Sequence, residues 1–284
     1  DIDALIATGN LEEYIADDIH TAFPTLAYTE RPDRFSAGVV EGRVGLLIDG
    51  LPLGWLLPGT LSQFFKTPQD KSQGWMAASA LMVLRYLCML ITLFLPAVYI
   101  AAVTFHLEML PTELALSIIA AKQDVPFTTV FEVLLMLVAF EIIQEAGLRL
   151  PSSIGQTVSI LGGLVVGSAA VEARIVSPAV LIVVAVAGIA GYTMPSQDFA
   201  GALRIWRFGL AALASLAGMF GAAIGALLLI CHLASLESFG VAYLTPFAAN
   251  DGEQVEGHAV IRQPLPSVKL RETALKTQNR RNQR

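Results

Sequence analysis

The 284-residue chain is 55% hydrophobic and 15% charged, with a mean hydropathy of +0.62 and a net charge of −6. Soluble domains carry about 25% charged residues, so an ordinary water-soluble domain is excluded and an integral membrane protein is expected. The charge is uneven: residues 1–75 hold 11 acids against 5 bases and residues 249–284 hold 4 acids against 7 bases, which speaks to topology and gives no basis for a nucleic-acid partner.

In chain order, the start DIDALIATGNLEEY has neither a Met nor a basic stretch before an apolar one. No signal peptide is expected, and the natural protein is expected to extend upstream. LEEYIADD reads as a helix. GVVEGRVGLLIDGLP reads as two short apolar runs joined by a turn, a β-hairpin. Residues 1–75 are therefore a partial cytoplasmic α/β domain, 76–248 the transmembrane domain and 249–284 a polar, basic cytoplasmic tail.

A membrane helix needs about 20 mainly apolar residues. Residues 81–105, with Pro96 inside, meet this, as do about 128–147 and 175–194. Residues 205–236 are long enough to span with tilt or a kink. Residues 154–171, rich in Gly and Ser, are borderline. The fold class is mainly α: a polytopic α-helical membrane protein with four to five apolar segments. The basic tail and the acidic amino-terminal region both belong in the cytoplasm, which requires an even number of crossings. Five segments are odd, so 154–171 is read as re-entrant, as backbone at depth can be when protein or a water-filled cavity surrounds it.

The segment FEVLLMLVAFEIIQEAGLRLP (131–151) is greasy yet holds Glu132, Glu141 and Glu145. At 100° per residue, Glu141, Glu145 and Arg149 share one helical stripe, and Glu132 faces the other side. Glu145 and Arg149 form a well-oriented pair at the helix end, a structural ion pair. Glu141 lies deeper, where an ionisable group costs about 2.5–3.5 kcal/mol on insertion scales and faces a bundle interior or water. Glu141 and Glu132 are the ion-path candidates, the alternatives being pairing with Arg85 for the first and an interfacial position for the second. Arg85, early in its apolar run, is expected to snorkel. Gly163 with Gly167, and Gly221 with Gly225, have the small-xxx-small spacing of close helix packing.

His106 and Glu108 lack the spacing of a zinc site, GRVG is too short for a dinucleotide fingerprint, and Cys88 and Cys231 lie apart in apolar runs. With no phosphate loop and no nucleophile elbow either, no enzyme, metal or cofactor is expected.

From TERPDR (29–34) onward the chain resembles the A-subunit family of bacterial spore germinant receptors, the GerA type. The stretches that carry the likeness are TERPDRFSAGVVEGRVGLLIDG, LPAVYIAAVTFHLEMLPTEL, VPFTTVFEVLLMLVAFEIIQEAGLRLP, IGQTVSILGGLVVGSAAVEARIVSP and HLASLESFGVAYLTPFA. The resemblance implies a place in the inner membrane of the endospore. It implies an integral membrane B-type subunit and a lipoprotein C-type subunit as partners, a homo-oligomer of A subunits, small nutrient germinants as ligands and contact with membrane lipids. It implies that germination is triggered with early ion release, through an oligomeric ligand-gated ion channel. Leu137 and Gln144 stand where the family's run carries an acid and an arginine. An ion-coupled secondary transporter and a non-conducting scaffold of the germination complex are the rival readings.

Overall fold

The computed structural model describes residues 8–149, 162–247, 260–264, 271, 275 and 277. The chain packs as two compact units, one from 1–87, 194–202 and 229–284, the other from 88–193 and 203–228.

The first unit begins with α1 (Thr8–Ile15), β1 (Ala27–Thr29) and α2 (Pro32–Glu41). Pro32 presets the first turn of α2, and Gly42 at φ 107 closes it in the left-handed region that glycine tolerates. The Gly42 and Arg43 amides then bond back to the Val39 and Gly38 carbonyls. These signals draw Gly38–Val40 into the helix, so the hairpin expected within 38–52 does not form and the observed one lies further along the chain. Its strands are β2 (Val44–Leu47) and β3 (Gly54–Leu57), antiparallel from Val44 opposite Leu57 to Leu47 opposite Gly54. β1 pairs with the other edge of β3, giving the order β1-β3-β2.

The central strand is buried throughout, and Trp55 and Leu56 are at most 2% exposed. Two short helices follow, α3 (Leu61–Phe64) and α4 (Pro68–Ser72), before α5 (Trp75–Phe105) begins. Phe199 stacks on Phe64 at 5.8 Å and meets Phe65 edge-on at 5.3 Å. A late two-stranded hairpin, β4 (Glu237–Ser238) with β5 (Val241–Ala242), docks through Ser238. The Ser238 hydroxyl donates to the Thr25 carbonyl (2.7 Å) and accepts from the Gly59 amide (3.1 Å).

The second unit is helical. After the α5 residues from 88 come α6 (Thr112–Lys122), α7 (Thr129–Arg149), a π-helical turn at Gly162–Val166, α8 (Gly167–Glu172), α9 (Pro178–Gly191) and the middle of α10 (Gln197–Ser235). Val133, Met136 and Leu137 of α7 and Val180, Val184 and Ala187 of α9 are buried where the two helices pack. Outward, Ile182, Ile189, Leu216, Phe220 and Leu227 are each at least 60% exposed. Water does not favour so much apolar surface, and lipid does.

α10 is the main departure from the sequence reading. Residues 205–236 were expected to form one span with tilt or a kink. Instead Ala217 (φ −132, ψ 16) and Gly218 (φ 60, ψ −137) leave helical geometry and the chain turns back on itself. Two observations fix this. Phe23 lies against both Phe199 (5.8 Å) and His232 (6.1 Å), which a straight helix would hold about 50 Å apart. A Cβ built on Gly225 would also fall 2.6 Å from Leu210 Cδ2, fifteen residues earlier. The element is a helical hairpin with arms 197–216 and 219–235.

Among the described residues, two elements are long and apolar enough to cross a membrane, Trp75–Phe105 and the hairpin Gln197–Ser235, with mean hydropathies of 2.3 and 2.2 over their most apolar stretches. α9 is apolar but shorter, and α7 carries the three glutamates. Four to five spanning segments are therefore not established by helix length and apolarity.

Candidate functional site

α7 presents its carboxylates to different neighbours, as its helical period requires. On one side Glu141 meets α10. Its Oε1 accepts from Arg204 Nη1 at 2.6 Å and its Oε2 from Arg207 Nη2 at 3.3 Å. The side chains of Glu141, Arg204 and Arg207 are 31%, 23% and 2% exposed. Arg204 and Arg207 are three residues apart on one helix, so they share a face and can grip a single acid. The cluster carries two guanidiniums against one carboxylate. Arg207 Nε has no hydrogen-bond partner among the described residues.

On the opposite side Glu132 is fully buried. It accepts from the Ser177 amide at 2.8 Å, where Ser177 is the residue that opens α9. A carboxylate suits that place, because a helix amino-terminus exposes unpaired amides and partial positive charge. Lys122, at the end of α6, approaches its other oxygen at 3.6 Å and also donates to the Thr129 hydroxyl. Glu132 thus joins α6, α7 and α9.

The remaining candidates are dispersed. Glu145 is exposed, and the side chain of Arg149 lies outside the described residues, as does the geometry of their expected pair. Arg85 is paired within the first unit and not with Glu141. It forks onto Asp70 (2.7 and 2.9 Å) and donates to the Phe65 carbonyl at 2.8 Å. Burial pushes the Asp70 carboxyl up, but the Arg85 bonds and the Thr67 amide outweigh it and hold Asp70 below its ordinary value.

The glycines separate by surroundings. A Cβ on Gly163 would meet nothing within 4 Å, while one on Gly167 would press on Leu181 at 3.0 Å. On Gly221 it would run into the Leu213 carbonyl oxygen. Gly221 and Gly225 therefore permit the close approach of the two α10 arms to each other. Among the described residues, no three His, Cys, Asp or Glu side chains group as metal ligands.

Sequence reasoning missed Arg204 and Arg207. The signal was present: LRIWRFG places two arginines in an apolar helix, where each needs a counter-charge.

The Bacillus/Clostridium GerA spore germination protein family matches residues 1–274. The chain belongs to the GerA family. Among Bacillus subtilis (strain 168) members, it is 43% identical to spore germination protein B1 over 96% of this chain and 56% of that protein. It is 42% identical to spore germination protein KA over 93% of this chain and 48% of the relative. For spore germination protein A1 the figures are 41%, 84% and 50%. The chain thus spans about half the length of the curated relatives it matches. No solved structure matches. These GerA relatives are spore germination proteins. Together with the two long apolar helices, this supports a membrane-associated germination role.

Proposed function

We propose that this chain is the membrane-proximal and membrane-embedded part of a germinant-receptor A subunit. In this reading it oligomerises, works with a B-type membrane subunit and a C-type lipoprotein in the inner spore membrane, and couples sensing of a small nutrient to ion release through an oligomeric channel. Family membership over nearly the whole chain carries the proposal.

For topology, α5, α7 and both arms of α10 cross the bilayer, four passages in all. α9, about 21 Å long against a hydrocarbon core of about 30 Å, returns to the side it came from. Both terminal regions then lie in the cytoplasm, as the basic tail favours.

Within that frame Glu141 acts as a lock and not as a collector of cations. The observation that supports this is its double pairing. A carboxylate held by two arginines presents net positive charge, so a cation path beside the closed cluster would be opposed. Glu132 holds the start of α9 by the Ser177 amide. Gly167, Gly221 and Gly225 serve packing.

The test is replacement of the gene by a deletion or by the Glu141→Gln allele. Spores are then scored for germination on a panel of single nutrients and for potassium release. Loss of one nutrient response on deletion supports the receptor assignment. Stoichiometric solute uptake by the reconstituted protein would select a transporter, ligand-dependent conductance the channel, and the absence of both a scaffold role.

A further inference from the structure

The two oxygens of the Glu132 carboxylate have unequal surroundings. Oε2 takes the Ser177 amide at 2.8 Å. Oε1 is buried and has no hydrogen-bond partner among the described residues. The Lys122 ammonium stands 3.6 Å from it, beyond hydrogen-bond range, and donates to the Thr129 hydroxyl instead. A buried carboxylate oxygen out of reach of water needs a donor or a cation, and leaving it bare costs more than leaving a neutral group bare.

The walls around that oxygen are closed and carry more oxygens. Glu132 is fully buried, Thr129 is 4% exposed and Ser177 3%. Tyr99 of α5 stands beside Ser177 and Glu132. Lys122 differs from them: its side chain is 29% exposed and reaches in from the last residue of α6 on a flexible four-carbon stem. The lysine can withdraw, and the buried carboxylate cannot. The carboxyl-terminal carbonyls of α6 favour positive charge at this point whether the lysine carries it or not. Calcium takes about six to eight oxygens, several of them carboxylate, and magnesium keeps waters that a closed site has no room for. One carboxylate among hydroxyls suits a single positive charge, and the room is that of one ammonium head.

We propose that Glu132 and Thr129 form a site for a bare monovalent cation of ammonium size, such as potassium, and that Lys122 is its tethered occupant, which exchanges with the free ion. The two occupants exclude each other. With Lys122 in place, a second cation would have no carboxylate of its own. With Lys122 withdrawn, the buried carboxylate is left without a counter-charge, and the ion restores it. The exchange has a mechanical consequence. Of the two occupants only the lysine is part of α6, so the free ion releases the end of α6, while α7 and α9 stay joined through Oε2. The site rests on contacts within the second unit and not on the receptor reading.

The experiment is thermal unfolding of the full-length protein in detergent, in potassium chloride and in choline chloride at matched ionic strength. Choline carries the same charge on a head too large for the site. The parent, whose lysine fills the site, should melt within about 1 °C in the two salts. Lys122→Gln vacates it, and potassium should then raise the melting temperature by about 3 °C or more, saturably, as binding to the folded state requires. Adding Thr129→Val should raise the half-saturating potassium concentration about tenfold, the loss of one oxygen ligand. Lys122→Gln combined with Glu132→Gln buries no charge and should melt alike in both salts. The site is overturned if Lys122→Gln melts alike in the two salts, as a purely structural ion pair predicts. It is equally overturned if the parent gains as much from potassium, if the gain survives Glu132→Gln, or if Lys122→Gln fails to fold even in potassium. None of these readings uses germination or ion release, so the receptor assignment stands or falls separately.

Discussion

Glu141→Gln keeps the size and hydrogen-bonding shape of the side chain and removes its charge. Arg204 and Arg207 then lose the carboxylate that both of them grip. Breaking a buried pair by removing one partner costs about 3–5 kcal/mol. Glu141 keeps 31% of its side chain exposed, so the lower end applies, about 3 kcal/mol or about a hundredfold in the folded ratio. The assay is thermal unfolding of full-length protein in detergent, beside immunoblots of the spore membrane. Adding Arg204→Gln to Glu141→Gln removes one of the two cations that lose the carboxylate, so the double variant should be less destabilised than the two single effects added together, by about 1 kcal/mol or more. The rival outcome is equally concrete. If Glu141→Gln is abundant, melts like the parent and slows only potassium release, the carboxylate serves ions and the lock is wrong.

The Asp70 carboxyl is depressed on folding, so its contribution to stability is present above the unfolded value of about 3.8 and lost as pH falls below it. Asp70→Asn should therefore lower stability at neutral pH and flatten the decline below about pH 4, measured by unfolding across pH. Gly218→Ala forces a side chain into φ 60, ψ −137, and should cost about 1–3 kcal/mol. Gly163→Ala, whose Cβ meets open space, should be tolerated, and equal melting of the two variants would remove the argument for the hairpin turn. In protein lacking Cys88 and Cys231, single cysteines at Ala217 and Ser267 should label from opposite sides of the membrane. Labelling from the same side would reject the two-arm crossing.

Some of this was legible in the residues. The opposed faces of Glu132 and Glu141 follow from nine residues of helix, and the structure assigns them different partners. What Glu141 meets was not legible, because Arg204 and Arg207 lie more than sixty residues away and sequence spacing describes only neighbours on one helix. The α10 hairpin was hidden for another reason. Its turn, Ala217–Gly218, lies inside a continuous apolar run with none of the polar turn residues that mark reversals in water. Gly221 and Gly225 were noticed for their spacing, which is silent on whether the approaching helix belongs to another element or to the same one folded back. In the first unit, Pro32 and Gly42 were both visible as helix punctuation, yet the two short apolar runs of GVVEGRVGLLIDG, read as strands, masked them.

The most direct measurement is germination of spores lacking this gene on single nutrients, with potassium release recorded in parallel. The receptor-subunit account predicts that one nutrient class no longer triggers either response, while the others do and the restored gene rescues the loss. Spores that lack the gene yet germinate and release potassium normally on every nutrient would contradict it.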